Sequence, residues 1–145
     1  MRIRRAVLED MAAAAAVHRL AMRISLSFLP ELHTAEEDLF HFKEHLFPNN
    51  EIWVAEKDSV VVGYAARGSG WLNHLYIHPD HQGEGIGAQL LAMAMDGEGA
   101  LQLWAFQQNE RARRFYEKHG FAVVELTDGS GNEEKTPDVR YEWNR

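Results

Sequence analysis

The chain is predicted to fold as a mixed α/β (α+β) domain: a mainly antiparallel sheet of about seven strands with helices on both faces. Three observations predict it. Helical periodicity recurs before, between and after runs of strand periodicity. Three β-rich runs between residues 52 and 77 are separated only by tight turns. An apolar strand then passes through a glycine-rich turn directly into a helix over residues 72–95.

Each element has its own signal. Ile3 to Val7 alternates with arginines and reads as a first strand. Asp10 is the expected N-cap of an alanine-rich helix to about Ile24, with Val17, Leu20, Ala21 and Ile24 on its apolar stripe. Ser25 to His33 breaks the period and reads as a loop. Thr34-Ala35-Glu36-Glu37 is a capping box that opens a helix to about Leu46, stopped by Pro48-Asn49-Asn50. Ile52 to Glu56, Val60 to Ala66 and Trp71 to Ile77 then form a meander, with turns at Lys57-Asp58-Ser59 and Gly68-Ser69-Gly70. A helix from Ile86 to Met95 follows the glycines. Leu101 to Phe106 is a short apolar strand, and the crossover from residue 71 to 106 implies a locally parallel pair. Asn109 caps a helix to His119 with Gly120 as its stop, then Phe121 to Leu126 and Val139 to Trp143 read as strands. The polar stretch from Thr127 to Thr136 between them is expected to be a mobile loop. No internal repeat or second domain is visible, so residues 1–145 read as one domain.

Composition narrows the function. Hydrophobic content of 46% and charged content of 26% are ordinary for a globular protein. With no cysteine, disulfides, thiolate metal sites and a cysteine nucleophile are excluded. A net charge of −7 argues against a nucleic-acid partner. No run approaches the length that spans a bilayer, and Glu9 and Asp10 interrupt the basic, alanine-rich start. The chain therefore reads as cytoplasmic, without a membrane partner.

The most informative stretch is Gln82-Gly83-Glu84-Gly85-Ile86-Gly87, where strand turns into helix. Three alternate glycines leave the first-turn N–H groups unscreened, with the positive end of the helix dipole behind them. That combination suits a phosphate or pyrophosphate. The turn itself holds no lysine or arginine, so main-chain amides would carry the anion. A glycine-rich helix start without a ligand is the other reading of the hexapeptide alone.

Two motifs together resemble the GNAT superfamily of N-acetyltransferases. Leu75-Tyr76-Ile77-His78-Pro79-Asp80-His81-Gln82-Gly83-Glu84-Gly85-Ile86-Gly87 is similar to the family's acetyl-CoA strand and pyrophosphate loop. Asn109-Glu110-Arg111-Ala112-Arg113-Arg114-Phe115-Tyr116-Glu117-Lys118-His119-Gly120-Phe121 is similar to its asparagine–tyrosine helix. The order of elements matches over essentially the whole chain. The resemblance implies that backbone groups of Leu75, Tyr76 and Ile77 pair with pantetheine. It places the pyrophosphate on the turn from Gln82 through Gly83, Glu84, Gly85, Ile86, Gly87 and Ala88. It also implies that Asn109 contacts the cofactor and that Tyr116 protonates the departing sulfur. The implied cosubstrate is acetyl-CoA, without a metal. The implied partner is a small-molecule amine attacked in a ternary complex, and the resemblance leaves room for a homodimer.

Chemistry supports the role of Tyr116. It lies two helical turns from Asn109, on the same face. A phenol of pKa near 10 can share a proton with a thiolate of pKa near 8.5 as the sulfur becomes basic. On spacing alone Tyr116 reads as a core aromatic beside Phe115, and Phe115 is assigned to the core with Phe121. The base is open. Some relatives carry a glutamate where this chain has Trp104, and others an acid on the fourth strand, where Asn73 and His74 stand here. His74 titrates in the right range for a base or water relay. A packed bystander and a water chain to solvent are the other readings. Phe28, Leu29 and His33 could shape the acceptor cleft. A non-catalytic acyl-CoA sensor of the same fold is an alternative. A remote one is a zinc hydrolase built on His41, Glu44 and His45, spaced as in His-x-x-Glu-His.

Overall fold

The computed structural model describes all 145 residues. Within the stretch read as one domain, two compact units are distinguishable, Met1–Asp96 and Gly97–Arg145. The first holds β1 (Arg2–Arg5), a 3-10 turn (Leu8–Asp10) and α1 (Met11–Ser25). It continues through α2 (Ala35–His41), a π-helical turn (Phe42–Leu46) and α3 (Phe47–Asn49). The meander β2 (Glu51–Lys57), β3 (Val60–Gly68) and β4 (Trp71–Ile77) leads through a second 3-10 turn (Pro79–His81) to α4 (Ile86–Met95). The four strands pair antiparallel in chain order, with Ile3 opposite Ala55, Val54 opposite Tyr64 and Tyr64 opposite Tyr76. The second unit comprises β5 (Ala100–Phe106), α5 (Glu110–Lys118), β6 (Ala122–Leu126) and β7 (Asp138–Asn144). There β7 lies between β5 and β6, antiparallel to both. Seven mostly antiparallel strands with helices make the mixed α/β class that the periodicities predict.

The face of the meander that carries Ile52, Val54, Tyr64 and Ala66 packs against Met11, Ala14, Ala15 and Val17 of α1 and against Phe42 and Leu46. Alanines on α1 let its backbone come close to the strands. Full burial of each large side chain in this layer contributes roughly 1.5–3 kcal/mol. The other face receives α4. A Cβ added at Gly63 would lie 2.8 Å from Ile77 Cδ1 and 3.4 Å from Leu90 Cδ1, so a larger residue there would have to displace the Ile77 side chain. Arg67 fastens the end of α4. Its Nη1 donates to the carbonyls of Ala94 (2.6 Å) and Asp96 (3.1 Å) while its guanidinium lies 5.0 Å from the Trp53 ring. A cation on the last carbonyls satisfies orphan acceptors and opposes the negative end of the helix dipole.

Three local readings change. Asp10 does not cap α1. It has helical backbone angles and no side-chain cap bond. Its carboxylate instead accepts from Val7 N–H (2.8 Å) and from both Arg4 Nη atoms (2.7 and 2.9 Å). A two-pronged charged partner holds it more strongly than a single helical amide would. The Thr34 capping box does form, with Glu37 N–H donating to Thr34 Oγ1 (3.1 Å) and Thr34 N–H to Glu37 Oε1 (2.8 Å). The helix it opens passes Leu46 by widening: Phe47 N–H bonds the carbonyl of Phe42. Pro48 has no N–H for the carbonyl of Glu44, and the wider turn precedes it. The segment expected to be mobile is tied down. Gln107 Nε2 donates to the carbonyls of Thr127 (2.8 Å) and Asp138 (2.9 Å), and Asn132 Nδ2 donates to Thr136 O (2.7 Å).

Candidate acyl-transfer site

β4 runs straight into the glycine turn. Leu75, Tyr76 and Ile77 are its last residues, opposite Ala65, Tyr64 and Gly63 of β3. Pro79 shapes the 3-10 turn that follows, whose cap is His78 Nδ1 accepting from Asp80 N–H (3.0 Å). Gly83 and Gly85 then take φ of +82° and +81°, the left-handed region where any side chain is strained. A Cβ added at either would meet nothing within 4 Å, so the space above the turn is open. Gly85 is the N-cap of α4 and no side chain caps that end. The first-turn amides at Ile86, Gly87 and Ala88 therefore have no helical acceptor, the arrangement in which a helix start can receive an anion.

The sequence shows no cation in this turn, but the fold brings one alongside. Lys57 Nζ, from the β2–β3 hairpin, lies 3.3 Å from Glu84 Oε1, and His81 Nδ1 lies 3.4 Å from the same oxygen. The Lys57 hydrogen bond and then that of His81 hold the Glu84 carboxyl below its usual range. Nothing in the chain's local pattern points to Lys57, which is 27 residues away. Gln82 Nε2 donates to Ser25 Oγ (3.1 Å), tying the turn to the end of α1.

On the α1 side of β4, His74 sits in a cluster of rings. The ring centroids of His18, Phe42 and Tyr76 lie 5.4, 5.5 and 5.7 Å from its own. His18 meets Tyr76 edge-on at 4.7 Å. Tyr64, fully buried, places its hydroxyl 2.8 Å from His74 Nδ1. Burial, then the nearby His18 and His41, pushes His74 down to about 3. Burial likewise pushes His18 down to about 4, against the pull of Asp38. Burial raises Tyr64 well above the ordinary phenol. Both imidazoles are thus uncharged at neutral pH. The registers Ala66–His74 and Arg67–Leu72 leave Asn73 as the extra residue of a bulge, and its Nδ2 donates to Asn50 Oδ1 (2.8 Å). The sequence offers His74 as a base or water relay, with a packed bystander as the other reading. It is a member of a hydrogen-bonded ring cluster, and if Tyr64 did not donate here its buried O–H would lose about 1–3 kcal/mol unpaired.

In the second unit Asn109 caps α5, its Oδ1 accepting from Ala112 N–H (3.2 Å). Tyr116 is 8% exposed and packs on Phe121 (5.6 Å) and Tyr141 (6.3 Å). Phe115 is only partly buried and lies on His119 (4.7 Å), so Tyr116, not Phe115, is the core partner of Phe121. Arg113 Nε donates to Tyr141 OH (3.0 Å), which donates to Glu117 Oε2 (2.5 Å), locking α5 onto β7. Trp104 is 44% exposed on β5. His41, Glu44 and His45 are all exposed, and no group of three His, Cys, Asp or Glu side chains able to hold a metal forms. No helix is long and apolar enough to cross a membrane.

The acetyltransferase (GNAT) domain family matches residues 48–123, a span that includes the glycine turn, Asn109 and Tyr116. Peptidyl-lysine N-acetyltransferase YjaB of Salmonella typhimurium is 31% identical over 123 residues, covering 84% of this chain and 83% of that protein. L-amino acid N-acyltransferase MnaT of Escherichia coli is 29% identical over 105 residues, 62% of this chain, which spans only 60% of that relative's length. PaiA N-acetyltransferase from Thermoplasma acidophilum, solved in complex with coenzyme A, superposes with a TM-score of 0.78 at 24% identity, over 99% of this chain and 98% of that one. With that family match over more than half of the chain and a relative 31% identical over most of it, the chain belongs to the GNAT acetyltransferase family.

Proposed function

We propose that this chain is an acetyl-CoA-dependent N-acetyltransferase that acylates a primary amine by direct attack in a ternary complex. The open, uncapped turn at Gly83–Gly87 carries the reading, because two left-handed glycines with empty space above them suit a bound pyrophosphate. In this reading the amides from Gly83 through Ala88 hold that group and Gln82 and Glu84 flank it. The backbone of Leu75, Tyr76 and Ile77 pairs with the pantetheine arm, and Asn109 contacts the cofactor. Acetyl-CoA supplies the activated thioester.

The residues then have three tasks: to align the amine, to meet the developing charge on oxygen and to manage two protons. The amine nitrogen forms the new C–N bond as the C–S bond breaks. Tyr116 gives its proton to the sulfur and regains one from solvent, and the surplus amine proton leaves to water. No acyl-enzyme is required, in keeping with the absence of cysteine. The acceptor class is an amine on a small molecule or amino acid. Relatives whose names specify peptidyl-lysine and L-amino acid acceptors support an amine nucleophile.

The test is a thermal-shift titration with acetyl-CoA beside a CoA-release screen over L-amino acids, polyamines and a lysine peptide. A ligand at 100 times its Kd should add about 2.7 kcal/mol of stability. A shift together with amine-dependent release supports the reading. A shift with no release over the whole panel would make the chain an acyl-CoA sensor, and no shift at millimolar acetyl-CoA would end the proposal.

A further inference from the structure

We propose that His74 is a fixed hydrogen-bond donor of the acylation site, presenting Nε2–H to an oxygen of the reacting pair, and that Tyr64 is the positioning residue that keeps it in that tautomer. The inference rests on the acetyl transfer proposed above, but its first observable does not.

The Tyr64 hydroxyl sets the tautomer of His74. It is fully buried on β3, and its one hydrogen-bond partner is His74 Nδ1 at 2.8 Å. If the imidazole donated, the phenolic hydrogen would be left buried and unpaired. If the phenol donates, that hydrogen is paired. Nδ1 is therefore the acceptor, and the single remaining ring hydrogen sits on Nε2. Rotation of the ring is opposed on three sides, by His18 from α1, Phe42 from the π-helical turn and Tyr76 from β4 itself.

The charge state agrees. The titratable groups around His74 are Tyr64 and Tyr76 on the strands, His18 on α1, and Asp38 and His41 on α2. Burial and the two other histidines keep the ring neutral, while the influence of Asp38 falls on His18 and Tyr64. A neutral imidazole held in one tautomer can stabilise charge that develops on oxygen without itself carrying charge beforehand. The same tautomer leaves no free lone pair, so His74 cannot take the proton of the amine. It lies immediately before Leu75 and immediately after the Asn73 bulge, where strand geometry re-aims a side chain. The oxygen it meets belongs either to the thioester carbonyl or to a carbonyl or carboxylate of the acceptor.

Heteronuclear NMR of the ring nitrogens, on the free protein, is the first test: His74 should show a lone-pair nitrogen at Nδ1 and a protonated Nε2, and Tyr64→Phe should release that preference. The opposite tautomer in the wild type overturns the proposal. The second test is kinetic, with acetyl-CoA and the best amine of the release screen. His74→Leu should lose about 10²-fold in kcat/KM, while His74→Gln, which keeps an N–H, should lose about tenfold or less. Loss confined to kcat assigns the thioester oxygen, and loss confined to the KM of the amine assigns the acceptor. Equal activity in the folded Leu variant, or an ionisation near pH 6–7 in wild type that vanishes in His74→Gln, overturns it. Acetyl-CoA still raising the melting temperature of these variants separates failure of this inference from failure of the acetyl-transfer reading.

Discussion

The glycine turn and the ring cluster around His74 lie a few residues apart on the same strand–turn–helix, and they are built in opposite ways. The turn is open. Gly83 and Gly85 stand in left-handed conformations with nothing above them, and the groups the turn offers are main-chain amides. The cluster is made of side chains packed on one another. His18, Phe42, Tyr64, His74 and Tyr76 come from four separate segments, and their ring nitrogens and hydroxyls are arranged by tertiary packing. The first needs little more than a local sequence to exist, whereas the second exists only when α1, the π-helical turn and two strands have docked. In the proposed function, binding falls to backbone geometry and control of charge to packing.

The widest separation of the two should come from Gly85→Val. A β-branched residue at φ +81° is strained by about 1–2 kcal/mol and fills the open space, so acetyl-CoA affinity measured by calorimetry should fall about 100-fold or more. The ring cluster should be untouched, with its NMR signals unchanged.

Acid should do the converse and damage the cluster first. Unfolded histidine titrates near 6.5, and in the folded chain His18 and His74 titrate at about 4 and about 3. The unfolded state therefore binds more protons below pH 6.5. Stability is fully present above that pH and is lost as pH falls toward the folded values, by roughly 2–4 kcal/mol after allowing for partial exposure. Denaturant melts between pH 7 and 4.5 check this, and a flat profile would remove both histidines from the buried layer.

Tyr116→Phe should lower kcat by about 10- to 100-fold and leave acetyl-CoA affinity within about threefold, since a thiolate near pKa 8.5 leaves tolerably without help. The smallest effect belongs to Lys57→Met. It frees an exposed carboxylate beside the turn, and should weaken acetyl-CoA by less than about threefold, less still at high salt.

The same contrast explains what the sequence discloses. The glycine turn, the Thr34 capping box, the three-stranded meander and the asparagine–tyrosine helix are legible because each is encoded in one contiguous stretch of sequence. His18 gave no signal: on α1 it is one polar residue beside an alanine stripe, and only docking against β4 turns it into a neighbour of His74. Lys57 was invisible for the same reason. Asp10 was misread because capping rules see the adjacent helix and not the arginine six residues earlier, which claims the carboxylate. The π-helical turn escaped notice because Pro48 reads as a stop, whereas the chain answers it by widening the turn before it.

The most direct measurement is the response of main-chain amides to acetyl-CoA, followed residue by residue by NMR. The amides of Gly83 through Ala88 should move most, saturating with the calorimetric affinity and sensitive to removal of the pyrophosphate from the ligand. Tight binding that leaves those amides unmoved would contradict that expectation.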